Sequence, residues 1–243
     1  MSSAMKKMIP VWGIGLVLLA LRYVEKTTGF DAGTGLTVPT SVRGVLIAGV
    51  AAAAVYAVLA GIRKSGKKPA FEEHFARPGK MAGVLITGSF LLMAGGVLQG
   101  YQAMGEEMRI ALLAAGAFAA ATGFGLIFLT KQMERGEARH VAPLLPALFF
   151  NAFWVLSLYL PAGSDPILAR YWLPILASAM NAYAFAQLAG FFRQESKVRS
   201  FDIVARLAVM LCIASAAESG IAGALLFAGN AVAVSAFLAL EKE

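Results

Sequence analysis

Residues 42–62 read VRGVLIAGVAAAAVYAVLAGI, and residues 63–68, which follow at once, read RKSGKK. The first run carries one charge, Arg43, next to its start. It matches the about 20 residues that a helix needs to cross bilayer hydrocarbon. The second run packs four cations into six residues, a composition that hydrocarbon excludes. Where no water reaches the chain, backbone groups must bond to one another, so the apolar run is a helix and the cations mark the membrane face where it stops.

The same pattern recurs along the chain. Apolar spans are predicted at residues 8–24, 42–62, 81–103, 109–130, 141–160, 167–191, 203–217 and 219–240. The expected fold is therefore all-α: a polytopic integral membrane helical bundle with eight transmembrane helices. Hydrophobic residues make up 59% of the 243 positions and charged residues 14%, too little polar surface for a water-soluble domain of this length. No predicted loop is long enough to hold a separate soluble domain, so residues 1–243 form one transmembrane domain.

The lysines and arginines fall unevenly between the loops. Lys6, Lys7, Arg63, Lys64, Lys67, Lys68, Arg77, Lys80, Lys131, Arg135, Arg139, Arg193, Lys197, Arg199 and Lys242 make fifteen on one side. Arg22, Lys26, Arg43, Arg109 and Arg170 make five on the other, and Arg206 lies inside the seventh span. Positive charge concentrates on the cytoplasmic side of membrane proteins, so both termini are expected in the cytoplasm and the localisation is the cell membrane. The net charge of +7 then reflects juxtamembrane loops, which are drawn to anionic membrane lipids, and no nucleic-acid partner is indicated. The first apolar run has a basic start but no small-residue cleavage pattern after it, and reads as an uncleaved signal anchor. A single cysteine, Cys212, excludes an internal disulfide.

Residues 30–39 (FDAGTGLTVP) and 161–166 (PAGSDP) are looser outer loops, whereas 105–107 (GEE) and 218–220 (ESG) are tight turns. Each half of the chain thus runs through a loose outer loop, a basic inner loop and a hairpin closed by a glutamate-containing turn. That order suggests a parallel four-plus-four repeat over about 1–135 and 136–243, without residue-level identity between the halves. Gly96 and Gly100 stand at small-xxx-small spacing and predict close helix packing, within the bundle or at a homodimer seam.

The three asparagines, Asn151, Asn181 and Asn230, each fall near the middle of a span. An amide in hydrocarbon needs partners, so all three are expected to face the interior at one depth, where carriers commonly hold substrate. Trp154, Tyr183 and Gln187 lie near them in sequence. These six residues are the candidate site for a small-molecule or lipid-like ligand. The competing reading is structural, with the asparagines hydrogen-bonding helices into register. Carboxylates keep to span ends, so a proton-coupled carrier is not expected. Arg206, four residues after Asp202, is expected to pair with it and snorkel to the inner face. Pro174 is expected to kink the sixth span.

Residues 72–77, EEHFAR, contain the Glu-Glu-x-x-x-Arg pattern of CAAX-type intramembrane proteases, but here it sits in a basic loop rather than a span. With His74 and His140 the only histidines, neither a haem nor a metal site has enough ligands, and no nucleotide-binding or nucleophile motif occurs. No catalytic residue, metal or cofactor is therefore indicated. Residues 21–25 (LRYVE), 30–36 (FDAGTGL) and 164–171 (SDPILARY) resemble segments of uncharacterised multi-span membrane proteins of anaerobic Gram-positive bacteria. That resemblance implies a bacterial cytoplasmic membrane. Three function classes stay open: a small-solute or lipid-like transporter; a non-catalytic membrane subunit, assembly factor or sensor acting through a membrane protein partner; and a membrane enzyme acting on lipid, against which the missing carboxylate and histidine constellation weighs.

Overall fold

The computed structural model describes residues 3–31, 37–38, 40–105, 109–164, 171–217 and 220–242. Among them are eight long helices: α1 (Ser3–Thr28), α2 (Ser41–Ile62), α4 (Met81–Gln102), α5 (Arg109–Arg135), α6 (Leu145–Ser164), α7 (Trp172–Phe191), α8 (Val198–Ser215) and α9 (Gly220–Leu240). A one-turn helix, α3 (Phe71–His74), lies between α2 and α4. Six of the long helices, α1, α2, α4, α5, α6 and α9, are long and apolar enough to cross a membrane. The two that are not are α7 and α8. Helix α8 holds Arg199, Asp202 and Arg206 in eighteen residues, and α7 holds Asn181 and Gln187. Glu106, Glu107, Asp165, Arg170 and Glu218, which the sequence places in outer loops, lie outside the described residues.

Each helix from α4 to α9 packs on its successor, and α9 returns onto α4, so the six form a closed circuit. Helix α1 packs on α8, α2 and α9, and α2 lies against α1 and α8. Helix α8 is consequently enclosed: fourteen of its eighteen residues are buried. Helix α2 is peripheral, with only Leu46, Ala53, Ala57 and Gly61 buried, while Val45, Ile47, Val55, Val58, Leu59 and Ile62 stand exposed. An exposed apolar belt around a core that contains Asn, Asp and Arg is the pattern of a protein whose solvent is lipid.

Close approach of helices follows the glycines. A Cβ added to Gly96 would lie 2.5 Å from the carbonyl oxygen of Gly116 on α5, and one added to Gly88 would lie 3.0 Å from the Ala233 nitrogen on α9. The Gly96 spacing therefore packs α4 on α5 within the chain. Without a hydrophobic force between helices in lipid, such contact supplies the dispersion energy of association.

The up-and-down course brings particular ends together. The Trp12 indole of α1 donates to Ser235 Oγ of α9 at 3.0 Å, and Lys64, just after α2, reaches Glu241, just after α9, at 3.3 Å. The nitrogen of Val198, at the start of α8, donates to the Lys67 carbonyl. The N-terminal part of α1, the 63–80 segment and the C-terminus thus share one end of the bundle. At the other end, Arg43 at the start of α2 donates to Glu25 near the end of α1, at 2.8 Å.

Residues 63–80 are folded against the bundle rather than hanging from it. Ala76 N donates to the Leu240 carbonyl at 2.8 Å and Lys242 N to the His74 carbonyl at 2.8 Å, so the segment and the C-terminus hold each other. Phe71 stacks on Phe192 with centroids 4.3 Å apart, and His74 stacks on Phe191 at 4.8 Å. The EEHFAR motif forms part of this aromatic cap.

Two local expectations are corrected. Pro174 is the third residue of α7, in the first turn, where the missing N–H would have had no helical partner; residues 165–170, where the expected span begins, lie outside the described residues. Arg206 does pair with Asp202, but it does not snorkel. Its side chain is buried, with Nε 2.7 Å and Nη2 2.9 Å from the two carboxylate oxygens, and Nη1 donates to the Tyr56 hydroxyl at 3.3 Å. A two-point partner inside the bundle makes the excursion to water unnecessary.

Candidate functional site

The asparagine layer is built by α6, α7 and α9. Asn151, Asn181 and Asn230 are all buried. Asn181 Nδ2 donates to Asn151 Oδ1 at 3.0 Å, and Asn151 Nδ2 donates to the Ala147 carbonyl one turn back on α6, at 2.8 Å. The two amides therefore face each other across the α6–α7 contact. One turn along from Asn151 on the same face, Trp154 is buried and meets the edge of Phe227 of α9, with centroids 6.1 Å apart. Phe227 lies one turn before Asn230 on its own helix. The Asn181–Asn151 bond thus joins α7 to α6, and the Trp154–Phe227 contact joins α6 to α9 one turn from Asn230.

Tyr183 and Gln187 fall elsewhere. Tyr183 is 46% exposed, because two residues along an α-helix turn the side chain by about 200°, away from Asn181. Gln187 is only half-buried and is six residues on, also off the Asn181 face. Asn151 and Asn181 come together, Trp154 lies one turn from Asn151, Asn230 is buried on α9 one turn from Phe227, and Tyr183 faces outward.

Ser178, one turn before Asn181 on the same face, was not singled out by sequence although serine at i−3 from a buried amide is a usable signal. Among the described residues, Trp154 Nε1, Ser178 Oγ, Asn181 Oδ1 and Asn230 Oδ1 belong to the buried polar atoms without a hydrogen-bond partner; others are Gln187 Oε1 on α7, Ser215 Oγ on α8, and His74 Nε2 and Glu241 Oε1 at the end of the bundle. The tryptophan and serine supply two donors and the amide oxygens two acceptors. Each such group costs about 1–3 kcal/mol when left unpaired, and native proteins tolerate few of them. No ionised side chain belongs to the set of Trp154, Ser178, Asn181 and Asn230.

Charged side chains are buried elsewhere and are paired. Glu25 takes both Arg22 and Arg43, Asp202 takes Arg206, and Glu241 lies 3.3 Å from Lys64 and 3.6 Å from His74 Nε2. The Arg22–Glu25 and Asp202–Arg206 pairs follow from i,i+3 and i,i+4 spacing. The Lys64–Glu241 pair joins residues 177 apart and has no sequence signal. No group of three or more His, Cys, Asp or Glu side chains arranged to hold a metal ion occurs among the described residues. No protein family, no curated protein and no solved structure matches the chain.

Proposed function

We propose that this integral membrane protein is a transporter for a small, uncharged polar solute, with all eight long helices crossing a bacterial cytoplasmic membrane and the basic end in the cytoplasm. The observation that carries this reading is the set of buried, unpartnered polar atoms of Trp154 on α6, Ser178 and Asn181 on α7 and Asn230 on α9, three helices of the α4–α9 circuit. Two donors and two acceptors without a formal charge complement a guest that both donates and accepts hydrogen bonds, such as a short polyol or amide. An ion would find no counter-charge there. The uneven distribution of Lys and Arg supports the orientation.

A second reading has its own support: the Asn181–Asn151 bond, with Asn151 tied back to Ala147, is what helix-joining asparagines would make. On that reading the protein is a non-catalytic membrane subunit, assembly factor or sensor, and its partner is another membrane protein. Osmotic swelling of proteoliposomes separates the two. Vesicles containing the protein should re-swell faster than empty ones in glycerol, urea or acetamide, and Trp154→Phe and Asn230→Leu should each slow this several-fold in at least one solute. Swelling equal to that of empty vesicles for every neutral solute would refute transport of this class.

A further inference from the structure

At the basic end of the bundle, immediately beyond the last turns of α5 and α9, lies a groove of about 370 Å³. Its volume is within the ~300–1,000 Å³ typical of small-molecule clefts. The floor is apolar: Phe71, Phe75, Met133 and Ala138 line it, and each is buried. The rim is charged. Arg77 and Lys242 stand on it, both exposed, together with one carboxylate, Glu72.

The two cations are placed rather than free to roam. Lys242 Nζ donates to the backbone carbonyl of Glu72 at 2.7 Å, not to the Glu72 carboxylate. Its backbone nitrogen is held by the His74 carbonyl. The Arg77 guanidinium lies against Gly136, where a Cβ would come within 3.0 Å of Nη2; Gly136 has φ +72°, a left-handed turn that ends α5 and leaves that space open. No carboxylate pairs with Arg77 or with Lys242 among the described residues, whereas Lys64 in the same segment is already committed to Glu241.

We infer that this groove binds the phosphate headgroup of an anionic phospholipid, with the phosphate between Arg77 and Lys242 and the glycerol and first acyl carbons on Phe71, Phe75 and Met133. Three features converge. The groove sits where two membrane-spanning helices end, the depth at which hydrocarbon gives way to headgroups. Its cations match a phosphate, for which an arginine fork and a lysine point charge are well suited. Its apolar floor matches the part of a lipid that a free phosphate lacks. A basic pocket at the inner membrane face is a general means of anionic-lipid recognition.

Isothermal titration of the purified full-length protein in a non-ionic detergent tests this with three probes: dihexanoyl phosphatidylglycerol, dihexanoyl phosphatidylcholine and glycerol 3-phosphate. The phosphatidylglycerol should bind saturably and at least tenfold more tightly than either of the others. Arg77→Gln should weaken it about fivefold, and Arg77→Gln with Lys242→Gln about 25-fold, at roughly one surface cation's worth of attraction each. Glu72→Gln should tighten binding, because it removes the carboxylate on the rim and leaves the carbonyl that holds Lys242. All of these side chains are exposed, so the variants should melt without ligand like the parent. Equal affinity for the two lipids, or undiminished binding by the double variant, overturns the proposal. Glycerol 3-phosphate binding as tightly as the lipid overturns the lipid source and makes the groove a receptor for a soluble phosphate.

Discussion

The charged pairs of the bundle and its neutral asparagine layer treat buried polarity in opposite ways. Buried charge is met by opposite charge: Asp202 grips Arg206 at two points within α8, and Glu25 takes two arginines near the end of α1. The asparagine layer carries no charge, and four polar atoms of Trp154, Ser178, Asn181 and Asn230 in it go without hydrogen-bond partners. Isolated charge in a low-dielectric interior costs far more than an isolated amide, so charge is tolerated only with its partner in place. The neutral layer has room to stay incomplete, and an incomplete neutral layer suits a guest that enters and leaves.

The largest expected effect therefore lies at the charged pairs. Asp202→Ala leaves the Arg206 guanidinium buried against one tyrosine hydroxyl, and should cost about 3–5 kcal/mol of stability. Thermal melting in detergent reads this directly. Asp202→Leu with Arg206→Met removes both charges and should recover most of the loss. A double variant as unstable as Asp202→Ala would mean that the pair is needed as a pair. Glu241→Ala should cost less, about 1 kcal/mol, since Lys64 is partly exposed and its ammonium can reach water.

Next in size is the α4–α5 contact. Gly96→Ala puts a methyl group 2.5 Å from a backbone carbonyl of the partner helix, which cannot move as a side-chain tip would. The expected loss is about 1–3 kcal/mol, the usual range for overpacking. Gly83→Ala on the same helix meets nothing within 4 Å and is the control. It should match the parent or exceed it slightly, because glycine is a poor helix former.

The helices themselves were legible in the sequence because lipid imposes one length and one composition on a span. Residues 42–62 and 81–103 fall within one residue of α2 and α4. The bond between Asn151 and Asn181 was legible for a related reason, since an amide in hydrocarbon has to find another polar group. Pro174 misled because its effect depends on where the helix begins, and a start at Trp172 turns a breaker into a compatible opening residue. Tyr183 misled because nearness in sequence is not nearness around a helix. The cap of Phe71, His74 and Phe75, and the groove beside it, were invisible. They depend on contacts between residues about 70 and the end of α9 some 165 positions later, and no local pattern encodes such a meeting. Loop polarity correctly placed the segment outside the spans but said nothing of its folding back.

The smallest effects test the asparagine layer most closely, through Asn151 and Tyr183. Asn151→Ala removes the acceptor of the Asn181 amide and should cost roughly 0.6–1.7 kcal/mol, the range measured for hydrogen bonds between helices in membranes. Asn230→Ala removes an amide whose oxygen has no partner, so its cost should fall below that of Asn151→Ala. Tyr183→Leu replaces one outward-facing side chain by another that lipid accepts equally well, and should change stability by less than about 0.5 kcal/mol. Melting temperatures of the three variants should therefore fall in the order Asn151→Ala, Asn230→Ala, Tyr183→Leu, from most to least destabilised. Because Tyr183 points away from Asn181, its variant should also leave solute-driven swelling unchanged, whereas Asn230→Leu slows it. A Tyr183→Leu protein that melts like Asn151→Ala, or that loses swelling, would place the tyrosine in the interior and rotate α7 by about half a turn from the orientation that joins Asn181 to Asn151.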